Sequence, residues 1–134
     1  MPDRQDDTML QNPDTASPVV VWTEIPVTDM ERAVAFYDAV FGWQMKIDET
    51  GPNPMATFAN STAGVGGHLY PGVPASAAGP TVHIAVPDRL EAAMDRCRNS
   101  GGILHGSIIP IPFGRFVYAT DPDGNSIGLF EPAA

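Results

Sequence analysis

One unit of sequence occurs twice in this chain, 59 residues apart. In the first copy, VVVWTEIPV predicts a strand, and the apolar residues of DMERAVAFYDAVF then recur at helical spacing. The second copy has the strand VHIAV followed by another amphipathic helical pattern. The shift aligns Ile25 with Ile84, Val27 with Val86, Asp29 with Asp88 and Gly42 with Gly101. The chain is therefore predicted to contain two copies of one structural unit.

Each predicted helix has a start signal and a stop signal. The segment Thr28–Glu31 matches a capping box, and Asp88 with Glu91 forms a similar Asp-x-x-Glu pattern. Gly42 and Gly101 can adopt the left-handed conformation that ends a helix.

Three short apolar runs follow each helix and predict strands. They cover residues 43–47, 56–59 and 65–70 in the first half, and 103–109, 113–120 and 127–131 in the second. The last two flank DPDGN, whose turn residues predict a β-hairpin. Each half is thus βαβββ, and the predicted class is α+β, with two modules forming a cupped mixed sheet and the helices outside.

The predicted domain covers residues 17–134, with modules at about 17–71 and 79–132 joined by a linker rich in Pro, Gly, Ala and Ser. A chain of 134 residues that is 43% hydrophobic can bury one such core. Residues 1–16 are polar and lack periodicity, so they are predicted to form a disordered tail.

The charge balance restricts the possible partners. Seven basic and 16 acidic residues give a net charge of -9, which disfavours nucleic acid and anionic membrane surfaces and mildly favours neutral or cationic ligands. The single cysteine, Cys97, cannot form an intrachain disulfide, and the first residues lack an apolar signal region. A cytoplasmic location is therefore expected.

The segments IPVTDMERAVAFYDAVFGWQM and GRFVYATDPDGNSIGLFEP resemble the vicinal oxygen chelate superfamily, which groups glyoxalase I, bleomycin resistance proteins and extradiol dioxygenases. The resemblance runs from about Pro18 to Pro132. It implies that the two modules form a cup that holds a small-molecule ligand, and that the protein is a homodimer. The apolar stretches Val19–Val21 and PFGRF are also consistent with a homodimer.

Metal-dependent members of this superfamily hold a divalent metal in the cup with up to four side chains, two from each module. The resemblance places the four ligand positions at Trp22, His68, Thr81 and Gly128. An indole N–H cannot bind a divalent metal, glycine has no side chain, and threonine is a poor neutral ligand. Only His68 is a good ligand, so no metal or other cofactor is predicted.

Two ionisable residues are expected on the inner face of the cup. Because side chains alternate along a strand, Glu24 faces the same side as Trp22, and His83 the same side as Thr81. Three interpretations are open for them: an internal ion pair or hydrogen bond, contacts to a ligand, or a displaced metal site formed with His68.

The remaining candidates also have alternative interpretations. Trp22 can fill the core or form a flat wall for an aromatic or cationic ligand. Arg115 can bind an anion at the rim or remain solvated, and Phe130 is included as a ligand contact. Cys97 is expected to be buried, and His105 to lie at the surface.

The predicted function is metal-independent binding of a small hydrophobic or cationic molecule in the cup. The alternative is an enzyme of the lyase, isomerase or dioxygenase type, which would use Glu24 or His83 as a base or a displaced divalent metal. No recognisable motif identifies catalytic residues, and the sequence does not specify the ligand.

Overall fold

A computed structural model describes residues 20–59, 61, 65–76 and 78–134. The predicted tail, residues 1–16, and Val19 lie outside the described residues. The first module contains β1 (Trp22–Val27), α1 (Met30–Phe41), β2 (Ile47–Asp48), β3 (Met55–Thr57) and β4 (Gly66–Pro71). The second contains β5 (Val82–Ala85), α2 (Leu90–Asn99), β6 (Ile103–Ile111), β7 (Gly114–Thr120) and β8 (Ser126–Pro132). The predicted βαβββ order is confirmed in both modules.

The strands form two four-stranded mixed sheets, ordered β1-β4-β3-β2 and β5-β8-β7-β6. In each sheet the first strand is parallel to the last strand of its module, and the other pairs are antiparallel. The ladders place Glu24 opposite His68 in the first sheet and His83 opposite Gly128 in the second. Glu24 and His83 are equivalent under the 59-residue repeat, and the alignment of GHLYP with GLFEP, 60 residues apart, makes His68 equivalent to Gly128.

The core lies between the sheets and the two helices, which are on the outside. Alternate strand residues supply it, including Ile25, Val27, Leu69, Ile84, Val117, Ile127 and Leu129, all of them buried. Trp22 and Glu24, on the opposite face of β1, are exposed. This alternation is typical of strands that are covered on one face only. Neither helix in the described part of the chain is long and apolar enough to cross a membrane.

The start of α1 differs from the predicted capping box. Asp29 is the N-cap, and its carboxylate accepts a hydrogen bond from the Arg32 backbone N–H at 3.1 Å. The Thr28 side chain instead contacts Asp123, so Thr28 is not the capping residue. Gly42 ends the helix in the left-handed conformation at φ 74°, as predicted.

The predicted Asp88–Glu91 cap of α2 is wrong. The N-cap is Arg89, and the Leu90 N–H donates to Glu131 Oε1 of β8 at 2.8 Å. Asp88 instead accepts two hydrogen bonds from Arg96 at 2.9 Å, and this ion pair holds its carboxylate away from the helix start. A residue distant in sequence therefore caps α2.

The predicted strand at residues 43–47 is also largely wrong, since β2 begins at Ile47. Trp43 stacks between Phe41 and Phe58, with ring centroids 5.2 Å from each. Packing of the indole in this aromatic stack replaces the expected strand pairing.

The β7–β8 turn joins the second module to the first. Tyr37 of α1 donates from its hydroxyl to Asp121 at 2.8 Å, and the Asn125 amide donates to the Pro26 carbonyl at 2.8 Å. Arg32 pairs with Asp123 at 2.7 Å. The predicted DPDGN hairpin is confirmed, and its side chains hold the two modules together.

Candidate functional site

A cavity of about 620 Å³ opens where β1 of the first module approaches the start of β5 in the second. Trp22, Glu24, Thr81 and His83 line it, together with linker residues that include Val73 and Pro80. Trp22 and Glu24 belong to the first module, and Thr81 and His83 belong to the second. The fold therefore brings together four of the predicted site residues. His68, Arg115 and Phe130 are not among the described residues that line it.

Trp22 forms an exposed wall of this cavity and does not fill the core. The residue is 43% exposed, and its indole Nε1–H donates to His68 Nδ1 at 2.9 Å. The indole nitrogen can only donate, so Nδ1 must be the unprotonated nitrogen of His68. The hydrogen bond therefore fixes the orientation of the indole. It also fixes the tautomer of neutral His68, whose proton is on Nε2.

The carboxylate of Glu24 faces the His68 imidazole, and the internal pair between Glu24 and His83 that was one of the interpretations does not form. The distance from Glu24 Oε2 to His68 Nε2 is 3.9 Å, and the carboxylate side chain is 62% exposed. Glu24 and His68 are direct neighbours in the β1–β4 ladder. His83 belongs to the other sheet, which places its ring against different partners.

The imidazole of His83 occupies the space beside Gly128. A β-carbon added at Gly128 would overlap the His83 ring, so any other residue at position 128 would require the ring to move. Phe116 and Tyr118 surround this ring at centroid distances of 4.9 and 5.8 Å, and Phe130 lies 6.3 Å away. Phe130 thus contacts a residue of the cavity without lining the cavity itself.

Phe116 and Tyr118 were not singled out by sequence reasoning. They alternate along β7, which carries their side chains to the same face of the sheet as His83. The alternation in GRFVYAT was the available signal. It could not show that His83 would occupy this face, because the pairing of β5 with β8 is not local in sequence.

The residues at the four superfamily ligand positions do not fit a divalent metal. Thr81 shares a hydrogen bond of 2.5 Å with Ser126, the position of Gly128 is covered by His83, and His68 Nδ1 accepts the indole proton. Among the described residues, no three His, Cys, Asp or Glu side chains come together in a way that could hold a metal ion. Glu24, His68 and His83 therefore do not form the displaced site that was considered.

Arg115 lies between two carboxylates. Its guanidinium donates to both oxygens of Glu91 at 2.8 and 2.7 Å and to Glu131 Oε1 at 2.7 Å. The hydrogen bonds from Arg115 lower the pKa of Glu91 to about 2. Two carboxylates thus balance the charge of Arg115, which disfavours the interpretation that Arg115 binds an anion.

The two other residues considered from the sequence lie where they were expected. Cys97 is fully buried in the core, where burial raises the pKa of its thiol to about 11. His105 is exposed on β6, and its Nε2 lies 3.2 Å from the Thr120 hydroxyl.

A second cavity of about 620 Å³ adjoins the first and shares Thr23, Val65, Val82 and His83 with it. The stacked Phe41, Trp43 and Phe58 form part of its wall. We take the first cavity as the candidate site, because Glu24 and Trp22 line it and give it a charged group and an exposed aromatic face.

Comparisons with known proteins agree with this architecture. Residues 19–129 match the sequence profile of the Glyoxalase/Bleomycin resistance protein/Dioxygenase superfamily. A glyoxylase-like domain-containing protein of Didymella fabae is 30% identical over 114 residues, which cover 77% of this chain and 85% of that protein.

The protein CFP32 of Mycobacterium tuberculosis (strain CDC 1551 / Oshkosh), which carries a glyoxylase name, is 29% identical over 118 residues, or 82% of this chain. The match covers 44% of CFP32, so this chain corresponds to less than half of that protein. The crystal structure of TnmS3, an antibiotic binding protein from Streptomyces sp. CB03234, is 28% identical with a TM-score of 0.58. The superposition covers 89% of this chain and 99% of TnmS3.

Proposed function

The chain belongs to the Glyoxalase/Bleomycin resistance protein/Dioxygenase superfamily, and from that premise we propose that it binds a small hydrophobic or cationic molecule between its modules without a metal. The observation that carries this proposal is the cavity bounded by Trp22, Glu24, Thr81 and His83. Its size lies within the range of small-molecule sites.

The chemistry of the cavity wall favours a ligand with an apolar body and a positive charge. Among the described lining residues, Glu24 is the one with a formal charge at neutral pH, and valine, alanine and proline contribute much of the remaining surface. The exposed Trp22 ring can stack on an aromatic group or face a cation. The similarity to TnmS3, which is an antibiotic binding protein, supports a binding role.

The proposal can be tested with two aromatic dyes of opposite charge. We expect thioflavin T, a cation, to bind saturably in a fluorescence titration and 8-anilinonaphthalene-1-sulfonate, an anion, to bind more weakly. Glu24→Gln should weaken binding of the cation by about fivefold, the most that one exposed ion pair supplies. Glu49→Gln removes the same charge from an exposed position outside the cavity lining and should have no such effect. Equal binding of both dyes, or equal effects of both variants, would contradict the proposal.

A second candidate function is an enzyme of the lyase or isomerase type with Glu24 as general base. Glu24 lines the cavity with His68 Nε2 at 3.9 Å, and the glyoxylase names of two similar proteins favour this candidate. Such an enzyme would release a changed product, and Glu24→Gln would abolish turnover while substrate still bound. A pure binding protein would return its ligand unchanged.

We also propose a cytoplasmic homodimer. Val20, Val21 and Phe113 are 64%, 66% and 68% exposed, which favours burial against a second copy. Repulsion from the charge of -9 is screened beyond about 10 Å at 0.1 M salt. Light scattering should give about twice the 14.2 kDa mass of one chain, and a monomer would contradict this.

The free, buried thiol of Cys97 is consistent with a reducing compartment.

A further inference from the structure

We propose that His68 is the positioning residue of the ligand cavity: in its neutral form it holds the Trp22 indole and faces Glu24, and its protonation releases the indole and neutralises the carboxylate. The inference deepens the proposed function, because it concerns the two side chains that give the cavity its aromatic face and its charge. His68 itself would act through Trp22 and Glu24 without contacting the ligand.

The burial of the three side chains supports this division of roles. The side chains of His68 and Glu24 are 12% and 62% exposed, and the residue Trp22 is 43% exposed. Both exposed residues line the cavity, and His68 contacts them from β4, the strand paired with β1. His68 is therefore placed to orient the two residues while a ligand contacts those residues directly.

The hydrogen bond from Trp22 can form only when Nδ1 of His68 is unprotonated. The indole Nε1–H lies 2.9 Å from His68 Nδ1, and the indole nitrogen has no acceptor function. Protonation of His68 places a second N–H on Nδ1, so two donors would face each other at hydrogen-bond distance. The indole must then move or lose its partner, and the wall of the cavity changes.

The other nitrogen of His68 links the same event to Glu24. Its Nε2 lies 3.9 Å from Glu24 Oε2, and a charged imidazolium would attract this carboxylate. The Tyr70 ring on β4 lies 6.1 Å from the His68 ring, and Thr57 is opposite His68 on β3; neither carries a formal charge at neutral pH. Protonation would thus reduce the negative charge that Glu24 presents to a cation.

The first measurement follows the Trp22 indole N–H in ¹H–¹⁵N spectra of the ligand-free full chain. Imidazole is the side chain that changes charge between about pH 5 and pH 8, so spectra are recorded across that range. Trp22→Phe assigns the signal, and the indole of Trp43 serves as internal reference. We expect the Trp22 signal to shift in a single titration and the Trp43 signal to stay constant.

The matched variant is His68→Asn, whose side-chain oxygen can accept the indole hydrogen bond at the place of Nδ1 but does not titrate. The Trp22 signal of this variant should remain near its position in the wild-type protein at about pH 8 and show no titration. A wild-type Trp22 signal that does not titrate, or an unchanged titration in His68→Asn, would overturn the inference.

The second measurement is the dissociation constant of thioflavin T at about pH 8 and about pH 5.5, where the charge on imidazole differs. We expect binding to the wild-type protein to weaken by at least about fivefold at the lower pH, and binding to His68→Asn to weaken less. His83 also lines the cavity, so the difference between the two proteins, and not the loss in either one, measures the contribution of His68. Equal losses in both proteins would count against the role of His68.

The two measurements separate this inference from the proposed function. If the indole titrates as expected but no dye binds at about pH 8, the positioning role stands and the proposed binding function fails. If the dye binds but the indole does not titrate, the binding function stands and the positioning role is rejected.

Discussion

The imidazole of His83 lies beside Gly128 of the neighbouring strand, in the space that a β-carbon at position 128 would need. The resemblance makes position 128 one of the four ligand positions of metal-dependent superfamily members. In this chain the missing side chain makes room for a histidine packed against Phe116. Gly128 is therefore required by the packing of this face of the second sheet.

Replacing Gly128 with alanine should destabilise the protein by about 1–3 kcal/mol, the usual cost of forcing extra atoms into a packed site. Urea unfolding at neutral pH measures this change. The double variant His83→Ala/Gly128→Ala removes the overlapping ring, so the cost of the added methyl group should largely disappear when it is compared with His83→Ala alone. If the destabilisations of the two single substitutions simply add in the double variant, the His83 ring is not the obstacle.

The hydroxyl of Tyr37 should make the folded protein sensitive to alkaline pH. Burial, followed by the charge of Asp121, raises the pKa of Tyr37 well above the value of about 10 that an exposed phenol has. The unfolded chain releases this proton first, so the stabilisation is complete below about pH 10 and is lost as the pH rises towards the folded-state pKa. Cys97, with its pKa raised to about 11, adds a loss of the same sign.

Tyr37→Phe tests this alkaline dependence. At neutral pH the variant should be less stable by about 1–3 kcal/mol, because Asp121 loses one hydrogen bond. Its free energy of unfolding should then fall less steeply than that of the wild-type protein above about pH 9. Tyr118→Phe, which changes an exposed phenol, is the control and should retain the wild-type slope. Parallel slopes for the wild-type protein and Tyr37→Phe would contradict the assignment.

The Arg115 guanidinium should keep Glu91 ionised in acid. Carboxyl carbon shifts in an NMR titration should give Glu91 a pKa of about 2, and Arg115→Gln should raise it towards the usual range. Because the folded-state pKa is lowered, the stabilisation is present above the unfolded value of about 4.3 and is lost as pH falls towards 2. An unchanged Glu91 titration in Arg115→Gln would show that another group lowers this pKa.

The arrangement of helices and strands could be predicted because its signals are local or repeated. The 59-residue repeat and the DPDGN turn determine the order of elements in both modules. The cap of α2 could not be read in this way, because Glu131 reaches Leu90 across 41 positions of sequence. Local propensity showed where the helix begins but not which group satisfies its first N–H.

The candidate site was predicted as a set of residues but not as a set of contacts. The alternation of side chains predicts Glu24 and His83 on the inner face of the cup, and this shared face suggested a pair between the two. Equivalent positions in two modules lie in different sheets, however, and Glu24 meets the residue opposite it in its own ladder, His68. The exposure of Trp22 was equally hidden, since an indole can lie in the core or on a strand face.

The most direct test of metal-independent binding is a thioflavin T titration before and after treatment of the protein with EDTA. We expect saturable binding with the same dissociation constant in both samples and after addition of excess Zn²⁺ or Mn²⁺. Trp22→Ala should weaken binding by about tenfold through loss of the stacking surface, while Trp43→Phe should leave it unchanged. Binding that requires a divalent metal, or that is indifferent to Trp22, would contradict the proposed function.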